Sequence, residues 1–495
     1  MSPTAGPRKR ALLFVVAALL SGLGAMPACA QDSMPMPDWF ARELGRLQIP
    51  ADAVSLYARD LPSGAEILSH NAQTALRPAS TIKLVTTLLA LEVLADEPVF
   101  RTDFHLLGRG RRALRNGQLD GDLLVRGAGD PTLDSAKLEA VARRLVKRGV
   151  RVIDGDIVLD TSNQAAAPND DPRFFAEIEA PFSAPPSPFT VNGKAVTLVV
   201  KPAARGEGIS VTLEPDLPSV KLESSLGFSR RECGSAREAI TLDVQGSAEQ
   251  ATVRVSGIYP LACGEYRRSI SVLSAERYFA DAFLLAYEKA GGFVSGSVRS
   301  DPRRRVSARM RPFETIASSP LPDIVREVNK QSNNLWAQQL FLRVGTQLAH
   351  KPVESTVAST SVDTWMRENL PQALPVTMET GAGLSANERI SARGLVELLD
   401  HAARAKYAEV FFDSLSIVGV DGTAAARMRD TPVAGNARVK TGTVSDARGL
   451  AGRLQSAGGS TVLFAILINH PRAGLATGLI DRLTERLQAG LTQHR

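Results

Sequence analysis

The chain has little cysteine, little net charge and no second long apolar run. It holds three cysteines and six scattered histidines among 495 residues, without the spacing of a metal site. The formal charge is +6, and residues 8–10 (Arg-Lys-Arg) supply three of these charges, so the remaining bias is too weak to indicate nucleic-acid binding. No segment beyond the N-terminus has an apolar run that could span a bilayer. These absences favour a globular enzyme or binding protein.

The N-terminus has the three parts of a secretory signal. A basic stretch precedes an apolar run from Ala11 to Leu20, and Ala28-Cys29-Ala30 suits signal peptidase. The sequence therefore predicts cleavage after Ala30, with residues 1–30 as the signal peptide, and export to the periplasm. A retained anchor is the alternative, although the run is shorter than the roughly 20 residues that span a bilayer. Lipid attachment at Cys29 is a second alternative.

Cleavage at that point leaves the pair Cys233 and Cys263. An even pair in an oxidising compartment predicts a disulfide, which would close a loop of about 30 residues. Two buried free thiols are the alternative interpretation.

The order of strand and helix patterns predicts an α+β protein. Residues 53–71 read as two strands joined at Pro62-Ser63-Gly64, and an apolar helix follows. Residues 98–305 carry short alternating strands between Gly, Pro and Asp turns, with two helical patterns. Helices return after that, and the last 60 residues give strands, a hairpin at Gly458-Gly459 and a final helix. Strands at both ends predict one antiparallel sheet, and the β-rich block would be inserted into that domain.

The stretch LRPASTIKLVTTLLALEVL (residues 76–94) places Ser80 and Lys83 at the start of the apolar helix. Three residues apart, they share a helix face, so the amine can reach the hydroxyl. A lysine with a pKa lowered by desolvation can take the proton of a serine nucleophile. The alternative is an N-cap serine and a lysine that extends to solvent. Lys83 is the only one of the 12 lysines with a serine three positions before it.

A second candidate element is Lys440-Thr441-Gly442-Thr443, which reads as a strand beside the C-terminal hairpin. The glycine lets a substrate backbone lie close, while the hydroxyls and the ammonium can hold a carboxylate. An ordinary strand with lysine and glycine is the alternative.

The third element is Ser332-Asn333-Asn334, in a break between two amphipathic helices. Ser-x-Asn occurs twice more, at residues 69–71 and 385–387. The choice among the three segments therefore depends on where each lies relative to the predicted helices and strands. The break at Ser332 lies between helices that a core domain would bury.

Together and in this order, the three elements resemble the signature of penicillin-recognising serine acyltransferases. Ser80 and Ser332 are 252 residues apart, so a large insertion separates the first two motifs. In this respect the chain resembles the D-alanyl-D-alanine carboxypeptidase/endopeptidases of peptidase family S13, the class C, type-4 low-molecular-mass penicillin-binding proteins. Family-like segments, such as GDLLVRGAGDPTL and ARVKTGTVSDARGLAGRL, extend over essentially the whole mature chain. One departure is Thr380-Gly381-Ala382, where family members often read Asp-Gly-Ser.

The resemblance implies a penicillin-binding/serine β-lactamase-like domain with a five-stranded antiparallel sheet flanked by helices. This domain would comprise residues 31–97 and 306–495, and residues 98–305 would form an inserted β-rich region of two subdomains.

The resemblance also assigns roles. Ser80 would attack a D-Ala carbonyl of a peptidoglycan stem peptide or cross-link, with Lys83 as base. Ser332 would relay a proton to the leaving amine, and Asn334 would position Lys83 and the substrate.

Lys440, Thr441 and Thr443 would hold the substrate carboxylate beside Gly442, and the amides of Ser80 and Thr443 would form the oxyanion hole. No metal or other cofactor is implied. β-Lactams would act as inhibitors, and the insertion could dock glycan or other cell-wall enzymes. A serine β-lactamase and a non-catalytic wall-binding or sensor protein are the alternatives.

Overall fold

The computed structural model describes residues 35–94, 98–108, 114–162, 184–203, 208–301, 303–304 and 310–491. The predicted signal peptide, residues 1–30, lies outside these ranges. The described α-helices are α1 (Asp38–Leu47), α2 (Lys83–Val93), α3 (Ser135–Lys147), α4 (Ala275–Lys289), α5 (Leu321–Lys330), α6 (Asn334–Ala349), α7 (Ser355–Asn369), α8 (Ala392–Arg404), α9 (Ala408–Asp413) and α10 (Thr477–Ala489).

The described strands are β1 (Val54–Asp60), β2 (Glu66–His70), β3 (Arg101–Gly108), β4 (Leu114–Arg115), β5 (Gln118–Arg126), β6 (Val152–Asp154), β7 (Ile157–Asp160), β8 (Val196–Pro202), β9 (Ile209–Glu214), β10 (Val220–Ser229), β11 (Ile240–Gly246), β12 (Ala251–Pro260), β13 (Tyr266–Ile270), β14 (Phe293–Val294), β15 (Val298–Ser300), β16 (Glu314–Ala317), β17 (Val376–Thr377), β18 (Arg389–Ile390), β19 (Ser416–Ile417), β20 (Ala437–Val444), β21 (Ala447–Gln455) and β22 (Thr461–Asn469).

One antiparallel sheet joins the two ends of the described chain. Its strand order is β19-β20-β21-β22-β1-β2, and every neighbouring pair is antiparallel. The N-terminal and C-terminal parts of the chain meet where β1 pairs with β22, with Val54 opposite Ile468. The predicted antiparallel sheet is therefore confirmed, but it has six strands and not five. The extra strand, β19, is a two-residue edge strand that is too short to carry an alternating pattern of its own.

Helices α2, α5, α6 and α8 pack together in a core beside this sheet. Residues Lys83 to Ala90 of α2 are all buried, so the helix is enclosed on every side, as its near-continuous apolar sequence predicts. The break between α5 and α6 falls at residues 331–333, where two helices were expected to separate. Ser391 accepts a hydrogen bond from the Gly394 amide and caps α8.

A separate hydrophobic core runs from Phe104 to Ile316 in sequence. It is enclosed by the sheet that contains β3, β5, β6, β14 and β16, two three-stranded sheets (β13-β8-β9 and β10-β12-β11), and the helices α3 and α4. β16 pairs with β3, although its residues 314–317 fall in the range predicted for the peptidase domain.

Cys233 and Cys263 form the predicted disulfide, with their Cα atoms 4.9 Å apart. It lies in the inserted region, near the ends of β10 and β12. Within the ranges that the structure describes, no helix is both long and apolar enough to cross a membrane.

Candidate active site

Ser80 lies in a short 3-10 turn (Ala79–Ile82) that leads directly into α2. Lys83 is the first residue of α2 and is completely buried. Its Nζ lies 2.8 Å from Ser80 Oγ, so the spacing of three residues brings the two side chains into contact as predicted. The turn is held in an uncommon geometry, because Ala79 has a φ of +47°.

Two further oxygens surround the amine of Lys83. Nζ donates to Asn334 Oδ1 at 2.6 Å and to the Ala382 carbonyl at 2.5 Å. Both atoms can only accept hydrogen bonds, so they use the two N–H groups of a neutral amine. An ammonium would donate its third N–H to Ser80 Oγ, whereas a neutral amine would turn its lone pair towards the Ser80 hydroxyl.

Burial lowers the pKa of Lys83 well below its ordinary value, because an ammonium loses its hydration there. The nearby Lys440 lowers this pKa further by charge repulsion, while Glu388 opposes both effects. The amine is therefore biased towards the neutral form that can accept the Ser80 proton.

Ser332 occupies the break between α5 and α6 with a φ of +56°. Its Oγ accepts a hydrogen bond of 2.9 Å from Lys440 Nζ, which also donates to the Thr441 carbonyl at 3.0 Å. Lys440 is completely buried, and burial lowers its pKa to about 7. Asn334 begins α6 beside Ser332, after the capping residue Asn333.

Strand β20 lies against the turn that carries Ser80. A Cβ atom on Gly442 would lie 2.6 Å from the Pro78 carbonyl, so a larger residue would push the strand and the turn apart. Thr441 Oγ1 is 2.7 Å from Thr423 Oγ1, and the Thr443 side chain is exposed further along the strand.

The structure thus connects Ser80, Lys83 and Asn334 in one hydrogen-bonded group and Ser332 with Lys440 in another. The two groups adjoin along β20 and the start of α6. Cys233 and Cys263 lie outside this site. Among the described residues, no group of three or more His, Cys, Asp or Glu is arranged to hold a metal ion.

Two components of the site were missed from the sequence. One is the Ala382 carbonyl, which lies in the segment where the sequence departs from the family pattern. The other is Glu388, a completely buried carboxylate beneath that loop. A backbone carbonyl leaves no signal in a sequence, although the departure at residues 380–382 marks the segment.

The two other Ser-x-Asn segments have structural roles. Asn71 donates to the carbonyls of Ala51 and Val54 at 3.1 Å. Ser385 hydrogen-bonds to the Glu379 carboxylate and accepts a bond from the Asn387 amide.

The chain is similar to known proteins over most of its length. Residues 42–485 match the model of a family described as "D-Ala-D-Ala carboxypeptidase 3 (S13) family". A D-alanyl-D-alanine carboxypeptidase of Actinomadura sp. is 29% identical over 97% of this chain and 90% of that protein. The D-alanyl-D-alanine carboxypeptidase DacB of Haemophilus influenzae is 25% identical over 88% of each chain. The crystal structure of penicillin-binding protein 4 from H. influenzae has a TM-score of 0.74 at 23% identity, covering 90% of this chain and 99% of that one.

Proposed function

Because the chain belongs to the D-Ala-D-Ala carboxypeptidase 3 (S13) family, we propose that it hydrolyses D-Ala-D-Ala stem peptides and peptide cross-links of peptidoglycan through an acyl-enzyme on Ser80. The observation that carries this proposal is the buried amine of Lys83, 2.8 Å from Ser80 Oγ and held by two oxygens that can only accept hydrogen bonds.

Acylation starts when Ser80 Oγ attacks the carbonyl carbon between the two D-Ala residues. Its proton passes to Lys83 Nζ as the C–O bond forms, which gives a tetrahedral oxyanion. The C–N bond then breaks and the leaving amine takes up one proton, which Ser332 relays. The products are an ester on Ser80 and free D-Ala or, for a cross-link, the released peptide amine.

Substrate positioning falls to strand β20. Lys440, Thr441 and Thr443 hold the substrate carboxylate, and Gly442 lets the peptide backbone lie close to the strand. The amides of Ser80 and Thr443 stabilise the oxyanion; in other enzymes, one such donor contributes about 3–4 kcal/mol. Asn334 holds Lys83 and contacts the substrate amide.

Deacylation needs one water molecule, which attacks the ester carbonyl and returns the proton to Ser80 Oγ. A β-lactam resembles the D-Ala-D-Ala end and leaves an acyl group on Ser80 that is slowly released. No cofactor enters any of these steps.

The predicted signal peptide supports a periplasmic location, where peptidoglycan is found. The division into a peptidase domain (31–97 and 306–495) and an insertion (98–305) is supported by the separate core between Phe104 and Ile316. We propose no specific partner for the insertion beyond the cell wall and its enzymes.

A fluorescent penicillin tests the proposal. We expect stable labelling of the wild-type protein and none of Ser80→Ala. Absence of wild-type labelling would favour a non-catalytic sensor, and rapid turnover of the penicillin would favour a β-lactamase. Release of free D-Ala, compared with cleavage of cross-linked dimers, then measures the balance of carboxypeptidase and endopeptidase activity.

A further inference from the structure

Glu388 is a titratable group in the interior that the proposed mechanism leaves unused. Its side chain is completely buried, and burial raises its pKa because the carboxylate loses its hydration. A buried carboxylate is costly unless its environment compensates the charge, so its position beneath the loop beside Ser80 needs a physical reason.

Oε1 of Glu388 holds the loop that faces the catalytic pair. It accepts hydrogen bonds from the amides of Glu379, Thr380 and Gly381 at 3.3, 3.0 and 2.9 Å, and from Thr380 Oγ1 at 3.0 Å. Four donors on one oxygen fix the backbone of residues 379–381. They also favour the ionised carboxylate.

The fixed loop supplies two carbonyls to α2. Gly381 O accepts a bond of 2.7 Å from Thr86 Oγ1, and Ala382 O accepts the bond from Lys83 Nζ. The next residue, Gly383, packs directly on the nucleophile turn, because a Cβ there would lie 2.7 Å from the Ser80 nitrogen. Displacement of the loop would therefore move a ligand of Lys83 and the backbone of Ser80 together.

The other carboxylate oxygen of Glu388, Oε2, points to a second role for this residue. Among the described residues, this oxygen has no hydrogen-bond partner. All the bonds to the loop go to Oε1, and an amide oxygen could accept them equally well. Bracing the loop thus explains one oxygen, but it does not explain why the residue is a glutamate and not a glutamine.

When it is ionised, Glu388 also acts on Lys83. Among the described groups, the charges that affect the Lys83 amine are Lys440 on β20, which repels a proton there, and Glu388, which attracts one. Glu388 thus limits how far burial and Lys440 can weaken the amine as a base. A base that is too weak would gain little from accepting the serine proton.

We propose that Glu388 is a positioning residue for acyl transfer, which braces the 379–382 loop through one oxygen and electrostatically tunes the Lys83 base with its charge. The inference rests on the proposed function, since it concerns Lys83 as the base.

The test compares penicillin acylation rates from pH 5 to 10 for wild type, Glu388→Gln and Glu388→Ala. Glu388→Gln keeps an acceptor for the loop but removes the charge. We expect it to fold and to move the acid limb of the pH profile about one unit lower, because loss of an attractive charge makes Lys83 easier to deprotonate. Glu388→Ala loses the acceptor as well, and we expect its plateau rate to fall at least about tenfold, with partial rescue in Glu388→Gln.

Glu379→Gln is the matched control on the same loop. Its half-buried carboxylate bonds to Ser385 and to Asn387 Nδ2, and we expect its profile to coincide with that of the wild type. A direct readout is NMR titration of ¹³Cε-labelled lysines, with the Lys83 signal identified by its loss in Lys83→Met. This assignment distinguishes Lys83 from Lys440, whose pKa burial lowers to about 7.

An unshifted Glu388→Gln profile with an unshifted Lys83 titration would overturn the inference, as would loss of the fold in Glu388→Gln, because bracing through one oxygen predicts that the amide folds. The proposed function would survive either result, provided that wild type is still labelled at Ser80. Failure of wild-type labelling would instead remove the proposed function.

Discussion

The region of the six-stranded sheet and the proposed insertion, with its separate core, both bury charged side chains, but the partners of these side chains differ. In the insertion, Asp281 is buried and satisfied by Arg277, one helical turn away, and by the Ser219 amide at 2.9 Å. Asp130 accepts bonds from the amide and hydroxyl of Thr132, two residues later.

In the sheet region, the group around Lys83 is assembled from distant segments. Its oxygen ligands at Asn334 and Ala382 lie 251 and 299 residues away. Asp281 and Asp130 are each held in part by a near neighbour in sequence, Arg277 or Thr132, and neither has a part in the proposed chemistry. Burial of Lys83 and Lys440 instead lowers their pKa values, because the nearby groups do not fully offset the loss of hydration. Lowered lysine pKa values of this kind are typical of catalytic sites.

Lys83→Met is the strongest test of this difference between the buried charged groups of the two regions. The substitution keeps most of the side-chain volume but removes the amine. We expect β-lactam acylation to fall about a thousandfold, the scale of a lost general base, while the protein stays folded. Stopped-flow acylation and circular dichroism measure the two effects. Asp281→Asn is the control in the insertion: it should lose stability but keep its acylation rate. Equal losses of rate in both variants would contradict the division of roles.

The disulfide gives the second largest expected effect. Cys233→Ser/Cys263→Ser opens a loop of 30 residues, which should lower the free energy of unfolding by about 3–4 kcal/mol in the chain-entropy model. Urea unfolding measures this loss. Acylation of Ser80 should be unchanged below the transition, because the bond lies in the inserted region. A slower acylation rate in the folded variant would show that the two regions are coupled.

The smallest effect concerns the pH dependence of stability. The pKa of Lys440 is about 7 in the folded protein and about 10.4 in an unfolded chain. Between these values the unfolded chain binds a proton that the folded protein lacks, so stability rises with pH by about 1.4 kcal/mol per unit.

Lys440→Met should lose this contribution to the slope, as measured by urea unfolding from pH 7.5 to 9.5. The control is Lys289→Met on α4, whose lysine is exposed and paired with Glu139. An unchanged slope in Lys440→Met would mean that the buried amine remains protonated.

Local signals explain what could be predicted of the site. The distance from Ser80 to Lys83 is set by one helical turn, and the break at Ser332 is visible where two amphipathic patterns stop and start. These features need no knowledge of the tertiary structure. Placing Lys440 beside Ser332 required the resemblance to a known family, since 108 residues separate them.

The parts that escaped prediction depend on long-range packing. The Ala382 carbonyl is defined only by how its loop meets α2, and Glu388 has an ordinary position between polar neighbours in the sequence. β16 lies beyond the predicted end of the insertion because strand pairing with β3, rather than composition, decides where that sheet ends. The two-residue strand β19 is likewise defined only by its neighbour.

The pairing of β1 with β22 has a consequence for biogenesis. Ser80 and Lys83 are synthesised early, but β1 has no partner on its β22 side until nearly the whole chain has been made. The strand with Lys440 is also among the last to emerge. The insertion can form its core before that point, whereas acylating activity must be the final property the new protein acquires. An incomplete chain would therefore carry Ser80 without the strands that complete its site.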